Sequence, residues 1–185
     1  MYDKANWQWV DPKTKSTYDL RHMQGFITPF EVKLSKSAPI TSINAKISFS
    51  NHCFSRTRTD DNENNQVISQ ETKRDGTIEE RVFCTSRWEF SKKLPSIIKD
   101  LAYKNCLEGG SREILYRQED HSNPGQHDGW YICMRLDYKR NRNPQLEIWV
   151  RSAHWRPNRP VDIRSHGGKR FCMLLSEYLK SKGRA

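Results

Sequence analysis

The chain reads as a single α+β domain, an antiparallel sheet of about six strands carrying two helices. The order is strands, helix, three-strand meander, C-terminal helix. Three observations predict this class. Apolar residues alternate with polar ones in several separate segments, the signature of half-buried strands. Two stretches carry apolar residues at helical spacing instead. No composition shift or internal repeat marks a second domain, and 185 residues suit one domain with a real core.

Residues 1–24 read as an N-terminal arm that carries Trp7, Trp9 and Tyr18 without clear periodicity, docking through its tryptophans. Residues 25–185 form the domain. Phe26, Thr28, Phe30, Val32 and Leu34 make the first inward row, and Pro39 marks a turn. Ala45, Ile47, Phe49, Asn51 and Cys53 make the next, which puts His52 on the opposite, polar face beside Arg56 and Arg58. Residues 59–77 are polar, acidic and free of aromatics, so they read as a long mobile loop. A strand follows from Ile78 to about Trp88, with Arg81, Phe83 and Arg87 on one face.

Ser91 to Leu107 reads as the first helix, with Pro95 in its first turn and a stripe of Leu94, Ile97, Ile98, Leu101 and Ala102. Gly109 and Gly110 end it. Strands are expected over 112–118, 129–139 and 145–156, joined as an antiparallel meander. Trp130, Ile132, Met134, Leu136 and Tyr138 face Leu146, Ile148 and Val150 in the core. The last helix runs from about Gly168 to Ser181, with Phe171, Leu174, Leu175, Tyr178 and Leu179 inward. Over 91–156 the helix-then-meander order resembles small ribonuclease toxins of the RelE and barnase kind. That resemblance rests on element order and carries no family residue across.

The net charge of +10 favours a polyanionic partner. From Arg135 to Ala185 there are 13 Lys and Arg against 4 Asp and Glu, so nearly the whole excess sits in the last quarter. No run of about 18 apolar residues predicts a membrane span, and the N-terminus lacks a signal-peptide layout. Five cysteines, widely spaced and never in CxxC, read as mostly buried thiols in a reducing cytoplasm.

The leading candidate site is the basic, tryptophan-containing stretch 149–170. Aromatic rings stack on bases, while guanidinium groups and helix N-termini take phosphates. Its residues are Trp149, Arg151, Trp155, Arg156, Arg159, Arg164, Gly167, Gly168, Lys169 and Arg170. Unbroken strand phase puts Trp149, Arg151 and Trp155 on one face and His154 and Arg156 on the other. If the arm or a helix covers the Trp face, its rings are core instead.

The expected function is therefore binding of nucleic acid, RNA or single strands foremost. A second reading is a metal-independent, toxin-like ribonuclease, with His52 and His154 as acid and base and Arg87 and Arg156 stabilising the phosphate. A third is a protein-interaction or self-association module docking through the Trp face. No cofactor and no metal is expected. His52, Cys53, Cys84, His121, His127 and Asp128 lack zinc-site spacing, and adjacent strand residues point apart.

Overall fold

A computed structural model describes residues 2–3, 5–35, 37–62, 65–73, 75–109, 113–118, 128–139, 141–157 and 168–182. Its architecture corrects the expected class. The fold is mostly β, with three sheets of three, seven and three strands and three short α-helices among the described residues.

The seven-stranded sheet is the body of the molecule. Strands β4 (Phe26–Lys33) and β5 (Ile40–Phe49) form an antiparallel hairpin in which Phe30, Val32, Ile43, Ala45 and Ile47 turn inward. Strands β9 (Asn105–Gly109), β10 (Glu113–Gln118), β11 (Gly129–Tyr138) and β12 (Leu146–Arg156) form the meander, each antiparallel to the next. The hairpin joins this meander through a parallel pairing of β5 with β12, which the all-antiparallel expectation missed. A two-residue strand, β13 (Lys169–Arg170), closes the far edge against β9, so β13 and β4 are the two edges.

Helix α3 (Phe171–Ser181) covers the inner face with the predicted stripe, and Phe171 meets Phe30 at 5.3 Å. The Tyr178 hydroxyl donates to the Leu136 carbonyl and accepts from the Tyr138 amide, tying the helix to β11. Helices α1 (Thr85–Ser91) and α2 (Leu94–Lys99) complete the core with Phe90, Leu94 and Ile98, and Phe90 stacks on Trp130 at 4.1 Å.

The expected helix over 91–107 is thus shorter at its end and begins earlier. Its apolar stripe stops at Ala102, and Asn105 to Gly109 finds the open edge of β10 as β9. Gly109, read with Gly110 as a helix stop, is instead the last residue of β9, opposite Glu113 of β10, and Gly110 lies outside the described residues.

The other two sheets lie in segments read as arm and loop. Strands β1 (Tyr2–Asp3), β2 (Gln8–Val10) and β3 (Thr17–Asp19) form one, anchored by Trp9, which is buried and stacked on Phe83 at 4.1 Å. Strands β6 (Ser55–Thr57), β7 (Val67–Thr72) and β8 (Ile78–Phe83) form the other, in the order β6-β8-β7. Hence 67–72 is a strand, not loop. Its polarity hides it, because it pairs on an exposed hairpin through contacts such as Gln70 to Glu80.

Candidate functional site

One irregularity decides which residues of β12 act together. Val150 stands opposite Met134 and Ser152 opposite Cys133, so Arg151 is an extra residue in β12. A bulge of this kind reverses the side-chain phase beyond it. Leu146, Ile148 and Val150 lie in the core before it, and Ala153 takes over that role after it. Trp149, Arg151, Ser152, His154 and Arg156 therefore share the outer face. This overturns the expected division. Trp155 moves to the other side, opposite Trp130 and half exposed, while His154 and Arg156 join Trp149.

These residues line an open cleft of about 630 Å³ together with His52, Glu71, Glu113 and Trp7. His52 does not sit on a strand face, because β5 ends at Phe49 and residues 51–53 form a tight turn. The Ser50 hydroxyl accepts the His52 amide at 3.2 Å and caps that turn. The His52 ring contacts both Glu71 carboxylate oxygens through Nε2, at 2.8 and 2.9 Å.

Arg87 takes a different place from the one foreseen. Its Nη1 donates to the carbonyls of His52 and Ser55, at 3.2 and 2.7 Å, so it holds the turn from below. Arg81, almost fully buried, donates to the same Ser55 carbonyl at 3.0 Å and to the Ser55 hydroxyl at 2.8 Å. Two guanidinium groups thus converge on one carbonyl beside His52.

His154 is held neutral. Burial first, then the nearby Arg156 and Arg87 charges, push its pKa down to about 4. Arg156 Nε donates to His154 Nε2 at 2.5 Å, a bond that only an unprotonated Nε2 accepts. Unfolded histidine titrates at its ordinary 6.5, so the unfolded chain binds the proton first as pH falls. The stabilisation is whole above pH 6.5 and is lost on the way down to about 4. Because the ring is partly solvated, the loss is taken as about 1–3 kcal/mol. Urea unfolding at a series of pH values checks this: His154→Asn should flatten the slope across that window, and an unchanged slope contradicts it.

Arg151 pairs with Glu113 on β10, both half exposed, and its guanidinium lies 5.8 Å from the Trp149 ring. Such an exposed pair contributes little, so Arg151 can exchange Glu113 for a ligand phosphate at small cost. Trp7 reaches the cleft from the turn before β2 with φ of 51°, a left-handed backbone that is strained for a bulky residue. The Leu20 amide pins it there by donating to its carbonyl at 2.7 Å.

Glu71, Glu113 and Trp7 were not foreseen. Glu71 lay in the segment read as loop, and Glu113 carried no local signal. The pair of tryptophans at 7 and 9 was the only hint of Trp7.

The described end of the glycine-rich approach to α3 does not line this cleft. Gly168, Lys169 and Arg170 stand at the β13 edge, four strand spacings from β12, or roughly 19 Å. Lys169 is paired with Glu177 at 2.9 Å. A side chain at 168 would meet the Cys106 carbonyl at 3.1 Å, so glycine there serves close packing on β9. Arg159, Arg164 and Gly167 lie outside the described residues, as do His121 and His127.

Cys53 is buried and its thiol is pushed up to about 12, which removes it as a nucleophile. Among the described residues no three His, Cys, Asp or Glu side chains gather as metal ligands.

Fold and cleft together define a mostly-β domain with an aromatic, arginine- and histidine-lined groove on one sheet face. The YjaZ family model matches residues 8–179, and the chain belongs to that family. Neither curated proteins nor solved structures gave a significant match.

Proposed function

We propose that the chain binds single-stranded nucleic acid, RNA foremost, in the β12 cleft. The observation that carries this reading is the bulge at Arg151. It sets a half-exposed indole, two guanidinium groups and a neutral imidazole side by side on one open face. Trp149 and Trp7 offer stacking surfaces, and Arg151 and Arg156 offer phosphate donors. In the free protein Glu71 contacts the His52 ring and Glu113 pairs with Arg151. The net charge of +10 supplies the long-range attraction.

A labelled oligoribonucleotide titrated at several salt concentrations tests it. Affinity should fall linearly on a log–log plot with rising salt, by about 0.7 of a power for each phosphate neutralised on a single strand. No binding at low salt removes the proposal.

Metal-independent RNA cleavage is a second reading, favoured by the two imidazoles lining one cleft. In it His154 accepts the 2′-hydroxyl proton, the 2′-oxygen attacks phosphorus, and the phosphorus–5′-oxygen bond breaks as His52 donates its proton. A 2′,3′-cyclic phosphate and a 5′-hydroxyl result. A base held near pKa 4 is unprotonated at neutral pH but weak, so binding is the better-supported role. Cleavage in EDTA that disappears in a His52→Ala/His154→Ala double variant supports this reading, and intact RNA across pH excludes it.

No helix is long and apolar enough to cross a membrane among the described residues. The five cysteines are free, which supports a reducing, cytoplasmic setting as part of the proposal.

A further inference from the structure

We propose that the free edge of β4 is a self-association surface, through which two copies of the chain pair in antiparallel fashion around Val32. Strand β4 is the last strand of the seven-stranded sheet, eight residues long and, among the described residues, unpaired on its outer side. Such an edge is a template for another strand unless something covers it. Beside it lies a groove of about 580 Å³ between β4, α3 and the turn after α2. Ile40, Tyr103 and Met173 rim this groove with exposures of 67%, 79% and 52%, an unusual concentration of exposed apolar surface.

The sequence of the edge selects the occupant and its register. Pro29 has no amide hydrogen, so it belongs where the backbone faces away from β5. Glu31 and Lys33, two and four residues on, direct their backbone groups to the same outer side. With Val32 opposite its own copy, Glu31 of each chain stands directly across from Lys33 of the other. Each such pair exchanges both backbone hydrogen bonds and also joins opposite charges on the solvent face. Centring the pairing on Glu31 instead would oppose two carboxylates. Centring it on Phe30 would set Glu31 against Pro29 and leave a carbonyl without a donor.

Of these three registers only that centred on Val32 joins opposite charges, and it sets Pro29 opposite Ser35, beyond the end of the strand, so the paired strand residues keep their hydrogen bonds. The exposed Met173 and Tyr103 line the groove beside this edge.

Sedimentation velocity of the full chain over a wide concentration range tests this. The wild-type chain should show a monomer–dimer equilibrium. Glu31→Lys and Lys33→Glu should each weaken it by about tenfold or more, since each replaces two attractive pairs with two repulsive ones. The double variant E31K/K33E restores both pairs and should return to near the wild-type constant. Both side chains are exposed, so thermal unfolding at concentrations low enough for the chain to be monomeric should be unchanged. Three results would each overturn the proposal: a monomer at every concentration, a dimer indifferent to the single reversals, or a double variant as weak as the singles.

Discussion

Trp149→Ala is expected to weaken binding of a short oligoribonucleotide by about tenfold to a hundredfold, the worth of one base stacked on an aromatic ring. Trp155→Ala is expected to leave it near the wild-type value. The contrast follows from the bulge. Both residues are large, half exposed and six positions apart, which unbroken alternation assigns to one face. The inserted Arg151 sends Trp155 to the side of Ala153 and Trp130, away from the cleft. Fluorescence anisotropy on the two variants decides it. Equal losses would mean that the rings share a ligand and that the cleft is not its boundary.

Arg81→Leu is expected to cost about 3–5 kcal/mol of stability, the usual penalty for breaking one side of a buried, hydrogen-bonded ionic group. Arg81 donates to Glu79 at 2.7 Å as well as to the Ser55 hydroxyl and carbonyl. Leucine fills part of the volume but leaves the part-buried Glu79 carboxylate with one donor fewer, the Ser55 hydroxyl without its guanidinium partner and the Ser55 carbonyl with Arg87 alone. For a chain of this length that is roughly a 10 °C drop in Tm. The effect should reach the cleft too, because Ser55 bonds the Asn51 carbonyl at 2.8 Å and so steadies the turn that carries His52. Thermal and urea unfolding measure the loss. A cost under about 1 kcal/mol would show that the two guanidinium groups on Ser55 are redundant.

Much of the framework was legible because burial there follows simple periodicity. The rows Phe30–Val32, Ile132–Met134–Leu136 and Leu146–Ile148–Val150 all face the core as alternation predicts, and α3 buries its helical stripe. The fold class was not legible, because strands built on edges and exposed hairpins need no apolar pattern. β7 is such a strand, and β9 is a short, mostly polar strand held between β10 and the two-residue β13. The parallel pairing of β5 with β12 joins segments about a hundred residues apart and leaves no local trace.

The cleft was half legible. Trp149, Arg151, His52, His154 and Arg156 were all candidates, but on two faces. The clue to their union was present in the strand itself. Val150 and Ala153 are apolar and three apart, a spacing that a regular strand cannot bury on one side. The partner of His52 was not legible, because Glu71 lies in an acidic stretch where no single carboxylate stands out.

The most direct test of the account is the NMR signals of the tryptophan indoles and histidine rings during titration with a short oligouridylate. Trp149, His52 and His154 should shift together in saturable fashion, with Trp155 unmoved. Shifts confined to Trp155 and the Lys169–Arg170 edge, or none at all, would contradict a nucleic-acid site gathered by the Arg151 bulge.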